Sequence, residues 1–406
     1  MSIASEICGI LKISTRLKNV IPAYLTSLMA EAHTHTLTHA AKLCGLAIAQ
    51  FSRLLSGHKA LALEHLNRMA RRRLKKVLGK RRRLFAGCPW KVAIIIDATL
   101  HTRSSRHIEN SQRFNHGDGW VIGHQWTNIV ILINNEIIPL PPLPFHTKKY
   151  CEQKGLKYQT EHERVLDFLA TADWTDLLPG VDPREIAVLM DSGYDNKELE
   201  TFIQLQGWSF VVSLKTSRTV QTKSQGLQNV VNLFKVTRKI GLWKTIRMIG
   251  GTRRKEFRVR TLSAFLKGVP FEVEIACSEK PNGKRIYLAC SLKGASPAVI
   301  SRTYKLRWRI EIFHKEVKSY LGFEDVAVMK FEAVEAHVYW VYTAYLLLFE
   351  LCESEGKSVL ARRHHVEGRI KNEEVGRLLK LNSRIDGRAA IKNHYARVRQ
   401  RLNAAS

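Results

Sequence analysis

The sequence contains no closely spaced cysteine pair and no apolar run long enough to cross a bilayer. Its seven cysteines are scattered over 406 residues. This argues against a zinc site and a disulfide framework, and it predicts a reduced, cytoplasmic setting. The longest uncharged apolar run, 338–349, is far shorter than the ~20 residues of a spanning helix, so we interpret it as a buried helix. Glu6 and Lys12 interrupt the first apolar stretch, which is not typical of a signal peptide.

Acidic residues are scarce relative to basic ones. The chain has 36 Asp and Glu against 65 Lys and Arg, a formal net charge of +29. Such an excess suits a polyanionic partner such as nucleic acid. A membrane surface is the competing interpretation, but it would need an amphipathic anchor, which we do not find in the sequence. Residues 1–85 hold 16 Lys and Arg against three acids. Because no acid is nearby in the sequence, we predict phosphate contacts for the basic run 71–83.

The residue pattern changes near residue 90, and this change separates a predicted helical region from a predicted α/β core. Residues 1–88 carry Leu, Ala and Ile at helical spacing, and we predict a helical DNA-binding domain there. Beyond it, β-branched runs predict buried strands at 92–96 and 186–190. The other elements predicted for the first part of the core, 89–214, are strands at 123–133, 136–140 and 209–214 and helices at 161–172 and 196–206.

The second half of the chain is predicted to return to helices after a β-rich block. Short alternating segments predict an antiparallel β insertion over 215–293. A long helix is predicted to begin near Pro297 and to run past Leu321, within a second part of the core at 294–353. Residues 354–406 are again basic and are predicted to be helical. The fold class is therefore α/β, with a core interrupted by an antiparallel insertion and flanked by helical regions.

A glycine between two short amphipathic segments indicates a helix-turn-helix in the N-terminal region. The first helix would cover 38–41, Gly45 would make the turn, and 47–56 would be the recognition helix. Gln50 and Arg53 would then face DNA bases. Helix pairs with a glycine in the turn are also common as purely structural units, so both interpretations stay open.

Two aspartates directly follow the two predicted buried strands. Asp97 comes after 92–96, and Asp191 comes after 186–190. In sheets flanked by helices, ligands bind beyond the strand ends. Each aspartate taken alone would more often begin a loop or cap a helix. Only residues further along the chain support a functional role for the two aspartates together.

The predicted helix near residue 304 has a polar stripe opposite an apolar one. At 100° per residue, the polar stripe spans about 60° and consists of Tyr304, Arg307, Glu311 and Lys318. The opposite face carries Leu306, Ile310, Phe313, Val317 and Leu321. A solvent-exposed helix face whose charged side chains form ion pairs, without any function, would show the same stripe. It would not explain why two strand-end aspartates precede the stripe in a strongly basic chain.

The polar stripe resembles the Y-x2-R-x3-E-x6-K signature of DDE transposases from bacterial insertion sequences of the cut-and-paste type. Members of that family place a first Asp on the opening strand of a ribonuclease-H-like core and a second Asp before x-Gly. A β-rich insertion and the signature helix follow. Asp97, Asp191 with Gly193, and the block 215–293 occur in the same order here. The resemblance covers residues 90–350 and implies a ribonuclease-H-like core.

The resemblance implies three catalytic, metal-binding carboxylates, those of Asp97, Asp191 and Glu311. Such a set can hold two Mg²⁺ or Mn²⁺ ions, which prefer hard oxygen ligands. Two ions about 3.5–4 Å apart would activate the attacking oxygen and stabilise the leaving oxygen. The resemblance also implies that Arg307 and Lys318 contact DNA phosphates and that Tyr304 forms a hydrogen bond nearby.

The implied activity is metal-dependent strand cleavage at the ends of a DNA element, followed by strand transfer. Its substrates would be double-stranded DNA with terminal inverted repeats and a target DNA. A homodimer in the DNA complex and a place at the nucleoid are further implications. In the insertion, Trp243 lies in a basic stretch, where it would either stack on an unpaired base or serve as a core tryptophan.

Two other functions compete with the transposase interpretation. A catalytically inactive, transposase-derived regulator would bind DNA without cutting it, and the three carboxylates count against it. A ribonuclease-H-like nuclease would hydrolyse DNA without strand transfer. The β insertion and the polar stripe count against the nuclease, because simple hydrolysis does not need them.

Overall fold

The fold is described from a computed structural model of the protein. Its N-terminal region is helical, as predicted. The structure describes residues 2–30, 34–103, 105, 107–117, 119–223, 225–236, 243–250, 253–280, 282–353, 358–382 and 396–400. The first helices are α1 (Ile3–Leu11), α2 (Val20–Met29), α3 (Leu37–Cys44), α4 (Ile48–Gly57) and α5 (Lys59–Leu78). Gly45 ends α3 with a φ of 68°, a left-handed conformation that glycine adopts without strain. The chain therefore turns sharply between α3 and α4, as a helix-turn-helix requires.

The α/β region begins with a long hairpin and continues with alternating helices and strands. Its first strands are β1 (Val92–Thr102), β2 (Gln112–His116), β3 (Gly119–Ile133), β4 (Glu136–Pro139) and β5 (Leu143–Pro144). Next come α6 (Lys148–Lys154), α7 (Glu161–Thr171), α8 (Trp174–Leu177), β6 (Ile186–Met190), α9 (Lys197–Leu205) and β7 (Ser209–Ser213). The helices predicted at 161–172 and 196–206 are thereby confirmed.

The remaining elements form the β-rich block and the C-terminal helices. The block comprises β8 (Thr219–Thr222), β9 (Gln225–Asn229), α10 (Val230–Val236), β10 (Lys244–Gly250), β11 (Arg253–Leu266), β12 (Glu272–Glu279) and β13 (Arg285–Cys290). The helices that follow are α11 (Pro297–Leu306), α12 (Trp308–Tyr320), α13 (Phe331–Leu351) and α14 (Val359–Asn382). The strands of the block pair antiparallel with one another, as predicted.

All the strands belong to one mixed sheet. The order along its main path is β2-β3-β1-β6-β7-β13-β12-β11-β8-β9. β1, β6 and β7 run parallel, and their central residues are fully buried, which explains the continuous apolar runs in the sequence. β13 pairs with β7, so the strands of the insertion continue the sheet of the core.

The prediction that the first strand ends at Asp97 is wrong. On one side, the parallel pairing of β1 with β6 does stop at Ile96 and Met190. On the other side, β3 continues to pair with β1 as far as Thr102. The long β3 supplies hydrogen-bond partners past the aspartate, and a local apolar pattern cannot reveal a partner strand. Asp97 thus lies inside one strand pair and just beyond the end of the other.

The single long helix predicted from Pro297 past Leu321 is also wrong, because it is two helices that meet at Arg307. The amide of Arg307 donates to the carbonyl of Tyr304 at 3.0 Å, a tightened three-residue turn, while φ and ψ stay helical. No proline or glycine marks this break. The Arg307 side chain contacts an aspartate on a distant strand, and such tertiary contacts lie outside helical periodicity.

Acids from distant parts of the sequence neutralise part of the basic run at 71–83. The prediction that no acid neutralises it is therefore wrong. The pairs are Arg71 with Asp176, Arg72 with Glu350, Arg73 with Glu136 and Glu350, Lys76 with Glu353, and Arg81 with Glu185. Much of this charge fastens α5 to the core.

The apolar run 338–349 lies in α13, which is buried almost throughout and packs against α2, α4 and α5. The prediction of a buried helix is confirmed. Within the described residues, no helix is long and apolar enough to cross a membrane.

Candidate active site

Asp97 is held in the sheet at the point where β6 ends. It lies directly opposite Asn128 on β3 and is 8 % exposed. Its Oδ1 atom accepts a hydrogen bond from the amide of Ala98 at 3.0 Å. The opposite oxygen, Oδ2, is left for partners from outside the sheet.

Asp191 follows β6 directly and caps the 3₁₀ turn Ser192–Tyr194. The amide of Gly193 donates to Asp191 Oδ1 at 2.8 Å. A Cβ atom at position 193 would lie only 2.9 Å from that oxygen, so the turn needs glycine there. This close approach is the physical reason for the Asp-x-Gly spacing seen in the sequence.

Glu311 reaches the same place from α12, which packs on β1. Arg307 joins the two acidic groups. Its Nη1 atom donates to Asp97 Oδ2 at 2.7 Å, and both Nη1 and Nη2 lie 3.3 Å from Glu311 Oε1. The glutamate side chain is 37 % exposed, so this corner of the site is open to solvent. The structure thus brings together three predicted residues from two distant parts of the chain.

The charges of these groups shift the pKa values of Asp97 and Arg307. Burial above all, with the negative charges of Glu311 and Asp191, raises the pKa of the Asp97 carboxyl to about 7 despite the opposing effect of Arg307. Burial tends to lower the pKa of Arg307, but the surrounding carboxylates outweigh it and the net shift is upward. This carboxylate cluster, which binds the Arg307 guanidinium, attracts positive charge and is a candidate functional site.

Tyr304 and Lys318 flank the site along the two helices. The guanidinium carbon of Arg307 lies 5.9 Å from the centre of the Tyr304 ring. Lys318 Nζ donates to the carbonyl of Leu100 at 2.6 Å and pairs with Glu324 at 3.2 Å. The sequence predicts that Lys318 lies on a helix, as it does on α12, but it does not reveal these partners.

The donor set fits a divalent metal ion. Asp97, Glu311 and His314 each offer one ligand atom, and these atoms lie within 4.8 Å of one another. Asp191 is not part of that group, although its charge acts on Asp97. Arg307 places its positive charge between two of the carboxylates, where a metal ion would be attracted.

Three further residues support the site and were missed from the sequence. His314 lies beside the carboxylates, and burial lowers its pKa to about 3. Asn128 lies opposite Asp97. Glu161 accepts hydrogen bonds from Thr127 and from Tyr194 in the turn after Asp191. Of these three residues, only His314 could have been found from the sequence, because it lies three residues after Glu311 and shares its face of α12.

The other predicted DNA contacts lie on separate surfaces. On α4, Arg53 is exposed, whereas Gln50 uses its side-chain oxygen to cap the helix by accepting from the amide of Ala47. Trp243 is partly buried before β10. Guanidinium groups lie 5.0 to 5.9 Å from its ring, those of Arg258, Arg260 and Arg285.

Residues 156–347 match the family model described as the transposase DDE domain. The matched stretch contains Asp191 and Glu311 and begins after Asp97. The match supports a DDE transposase, a class of enzyme that acts on DNA and uses divalent metal ions. A comparison of the sequence with curated proteins gave no significant match.

Proposed function

We propose that this protein is an insertion-sequence transposase that cleaves DNA strands at element ends and transfers them into target DNA. Asp97, Asp191 and Glu311 would be its catalytic carboxylates. One observation supports the proposal most strongly: Arg307 binds the side chains of both Asp97 and Glu311. Asp97 lies on β1 just beyond the point where β1 and β6 stop pairing, and Asp191 follows the end of β6.

The carboxylates would bind two divalent ions, Mg²⁺ or Mn²⁺. Such ions activate an attacking oxygen and stabilise the leaving oxygen of the phosphodiester. The protein contributes rigid placement of the donors. β1 and β3 fix Asp97, Gly193 holds one oxygen of Asp191, and α12 presents Glu311. Arg307 and Lys318 would then contact a phosphate bound beside the carboxylates.

The remaining predicted contacts are part of the same proposal. Tyr304, Arg307 and Lys318 would bind the strand being cut. Arg53 and Gln50 on α4 would read the terminal inverted repeat. Trp243 would stack on an unpaired base, with arginines around it for the adjoining phosphates. We also propose a homodimer in the DNA complex, associated with the nucleoid.

The proposed organisation keeps the predicted boundaries. A DNA-binding domain would cover 1–88, a ribonuclease-H-like core 89–214 and 294–353, and the insertion 215–293. A basic helical region would cover 354–406. The order β3-β1-β6-β7, with β4 on the outer side of β3, supports the ribonuclease-H-like assignment of the core.

The test is Mg²⁺-dependent cleavage of a duplex that carries the element end together with its flanking DNA. We expect the wild-type protein to nick the duplex at the element boundary and Glu311→Gln to abolish nicking while DNA binding persists. The matched control is Glu198→Gln, which removes an exposed carboxylate on α9 and should leave cleavage unchanged.

Joining of the cleaved end to a second duplex would separate a transposase from a nuclease that only hydrolyses. Binding without cleavage under Mg²⁺ and Mn²⁺ would favour the inactive regulator. Equal cleavage by the wild type and Glu311→Gln would refute the carboxylate assignment.

A further inference from the structure

His314 lies where a ligand to the metal ion would be expected. It sits on the same face of α12 as Glu311 and is 6 % exposed. One of its ring nitrogens lies within 4.8 Å of carboxylate oxygens from both Asp97 and Glu311. Donor atoms around a six-coordinate ion with bonds of about 2.1–2.2 Å are about 3–4.4 Å apart. The spacing of the three groups therefore suits a shared cation.

One nitrogen of the imidazole, Nε2, is already held by the protein. His314 Nε2 lies 2.9 Å from the side-chain amide of Asn128, which in turn is 2.5 Å from the Tyr342 hydroxyl. Asn128 is 1 % exposed and Tyr342 is fully buried. This chain of contacts joins β3, α12 and α13 and fixes the plane of the imidazole ring.

The remaining nitrogen, Nδ1, has no hydrogen-bond partner in the part of the chain that the structure describes. The oxygen and nitrogen of an asparagine amide have nearly the same shape, so their positions are set by their partners. The structure has Asn128 Nδ2 toward His314 and the Tyr342 hydroxyl donating to Asn128 Oδ1. With the amide turned over, its oxygen faces His314 and its NH2 group donates to the Tyr342 hydroxyl, so that Nε2 carries the proton and Nδ1 presents its lone pair. Metal-binding histidines commonly donate their other N–H to an oxygen in this way.

We propose that His314 is a nitrogen ligand of a divalent ion that Asp97 and Glu311 also bind. This inference rests on the proposed metal site and specifies its donor set. A site with two carboxylates and one imidazole favours Mn²⁺ over Mg²⁺, because Mg²⁺ prefers oxygen donors and Mn²⁺ also accepts imidazole nitrogen. His314 would thus set the metal preference of this transposase.

A purely structural histidine is the competing interpretation. The neighbours of His314 on the buried side of α12 are apolar, namely Ile310, Phe313 and Val317. An apolar side chain would fill that space without a polar atom to satisfy. An imidazole held by Asn128, with a ring nitrogen within 4.8 Å of oxygens from two carboxylates, is the arrangement of a ligand.

Pulsed electron paramagnetic resonance of the Mn²⁺-loaded, full-length protein without DNA tests the proposal. We expect modulation from a directly bound ¹⁴N nucleus in the wild type. The modulation should disappear in His314→Gln and persist in His364→Gln, which changes an exposed histidine on α14. Calorimetry should show that His314→Gln binds Mn²⁺ about tenfold more weakly, while its Mg²⁺ affinity changes less.

A wild-type sample with ¹⁵N-labelled histidine gives a second measurement that does not depend on a folded variant. Its ¹⁴N modulation should be replaced by a ¹⁵N coupling. Bound Mn²⁺ without histidine coupling would overturn the role of His314 and leave the carboxylate site intact. Persistence of the modulation in His314→Gln would also overturn it. Absence of Mn²⁺ binding in the wild type would refute the metal site itself, and with it the proposed function.

Discussion

The Nη1 atom of Arg307 lies 2.7 Å from Oδ2 of Asp97, although the two residues are far apart in the sequence. The same guanidinium also contacts Glu311. Arg307 therefore neutralises carboxylates that would otherwise repel each other in a largely buried site. A metal ion and Arg307 must compete for these oxygens, because both are cations that bind the same groups.

Replacing Arg307 by alanine should weaken the metal-free protein and strengthen metal binding. We expect a lower melting temperature in EDTA, because two carboxylates lose their counter-charge. At pH 8 we expect an affinity for Mn²⁺ about tenfold higher than that of the wild type, because the competing cation is gone. Thermal melts with and without Mn²⁺, together with calorimetry, measure both effects. Arg184→Ala, at a position 84 % exposed, is the control. An unchanged or reduced affinity would contradict the competition.

Asp97 should make the stability of the metal-free protein depend on pH. Burial raises the pKa of its carboxyl from the ordinary value of 3.8 to about 7. Between these values the folded chain keeps a proton that the unfolded chain has lost, so the stability contributed by this group falls as pH rises. Asp97→Asn removes the effect. Its melting temperature in EDTA should exceed that of the wild type by a margin that grows from pH 4 to pH 7.

Above pH 7 this margin should stay constant, at about 5 °C. Differential scanning calorimetry over this pH range would measure it. Glu198→Gln is the control, since its carboxylate is exposed. A margin that shrinks toward neutral pH would show that the Asp97 carboxyl is ionised at low pH, contrary to its surroundings.

Lys318 should bind DNA more strongly once its acidic partner is removed. Glu324→Gln keeps an oxygen for the amide of Thr102, which donates to Glu324 at 3.0 Å, but removes the charge that pairs with Lys318. We expect about two- to fivefold tighter binding of an element-end duplex at low salt. Lys318→Ala should lower the slope of log affinity against log salt by about 0.9, the contribution of one phosphate contact.

Titrations of a labelled duplex by fluorescence anisotropy at several salt concentrations would measure both effects. An unchanged slope in Lys318→Ala would mean that Lys318 holds the protein backbone at Leu100 and does not contact DNA.

A buried ion cluster behind Asp191 should be essential for stability. Arg218 pairs with Asp195 at 3.1 Å and with Glu200 at 2.8 Å, and both acidic side chains are almost fully buried. Arg218→Met leaves two carboxylates without a counter-charge, which should cost about 3–5 kcal/mol of the free energy of unfolding. Urea unfolding at pH 9, where both carboxyl groups are ionised, would measure the loss, and Arg184→Met is the exposed control.

The cost of Arg218→Met should decrease as the pH falls below about 8, because burial raises the pKa of Glu200 to about 8 and its carboxyl is protonated below that value. A cost of less than about 1 kcal/mol at pH 9 would show that this cluster behaves like a surface ion pair.

Local patterns in the sequence predicted the parts of the fold that depend on local interactions. The buried strands before Asp97 and Asp191 and the apolar face of α12 follow from periodicity, and the structure contains them. The extension of β1 to Thr102 depends on β3, and the break at Arg307 accompanies a contact with Asp97. Both depend on parts of the chain that are distant in sequence, where periodicity carries no information.

The candidate site shows the same division. The polar stripe identified Arg307, Glu311 and Lys318, because helical spacing fixes which side chains share a face. It did not reveal that Asn128 lies opposite Asp97, since strand register decides that. Nor did it show that acids such as Glu350 neutralise the basic run on α5. Charge counted along a sequence overestimates the positive charge available to a partner when the compensating acids are distant.

The pairing of β13 with β7 limits how this protein can be divided. Main-chain hydrogen bonds at Leu288, Ala289 and Cys290 tie the insertion to the strand beside β6. Excision of 215–293 would uncover the edge of β7, and an uncovered edge recruits strands from other molecules. We therefore expect a truncated core to aggregate. A useful deletion would have to retain β13, so that the parallel strands keep a covering neighbour.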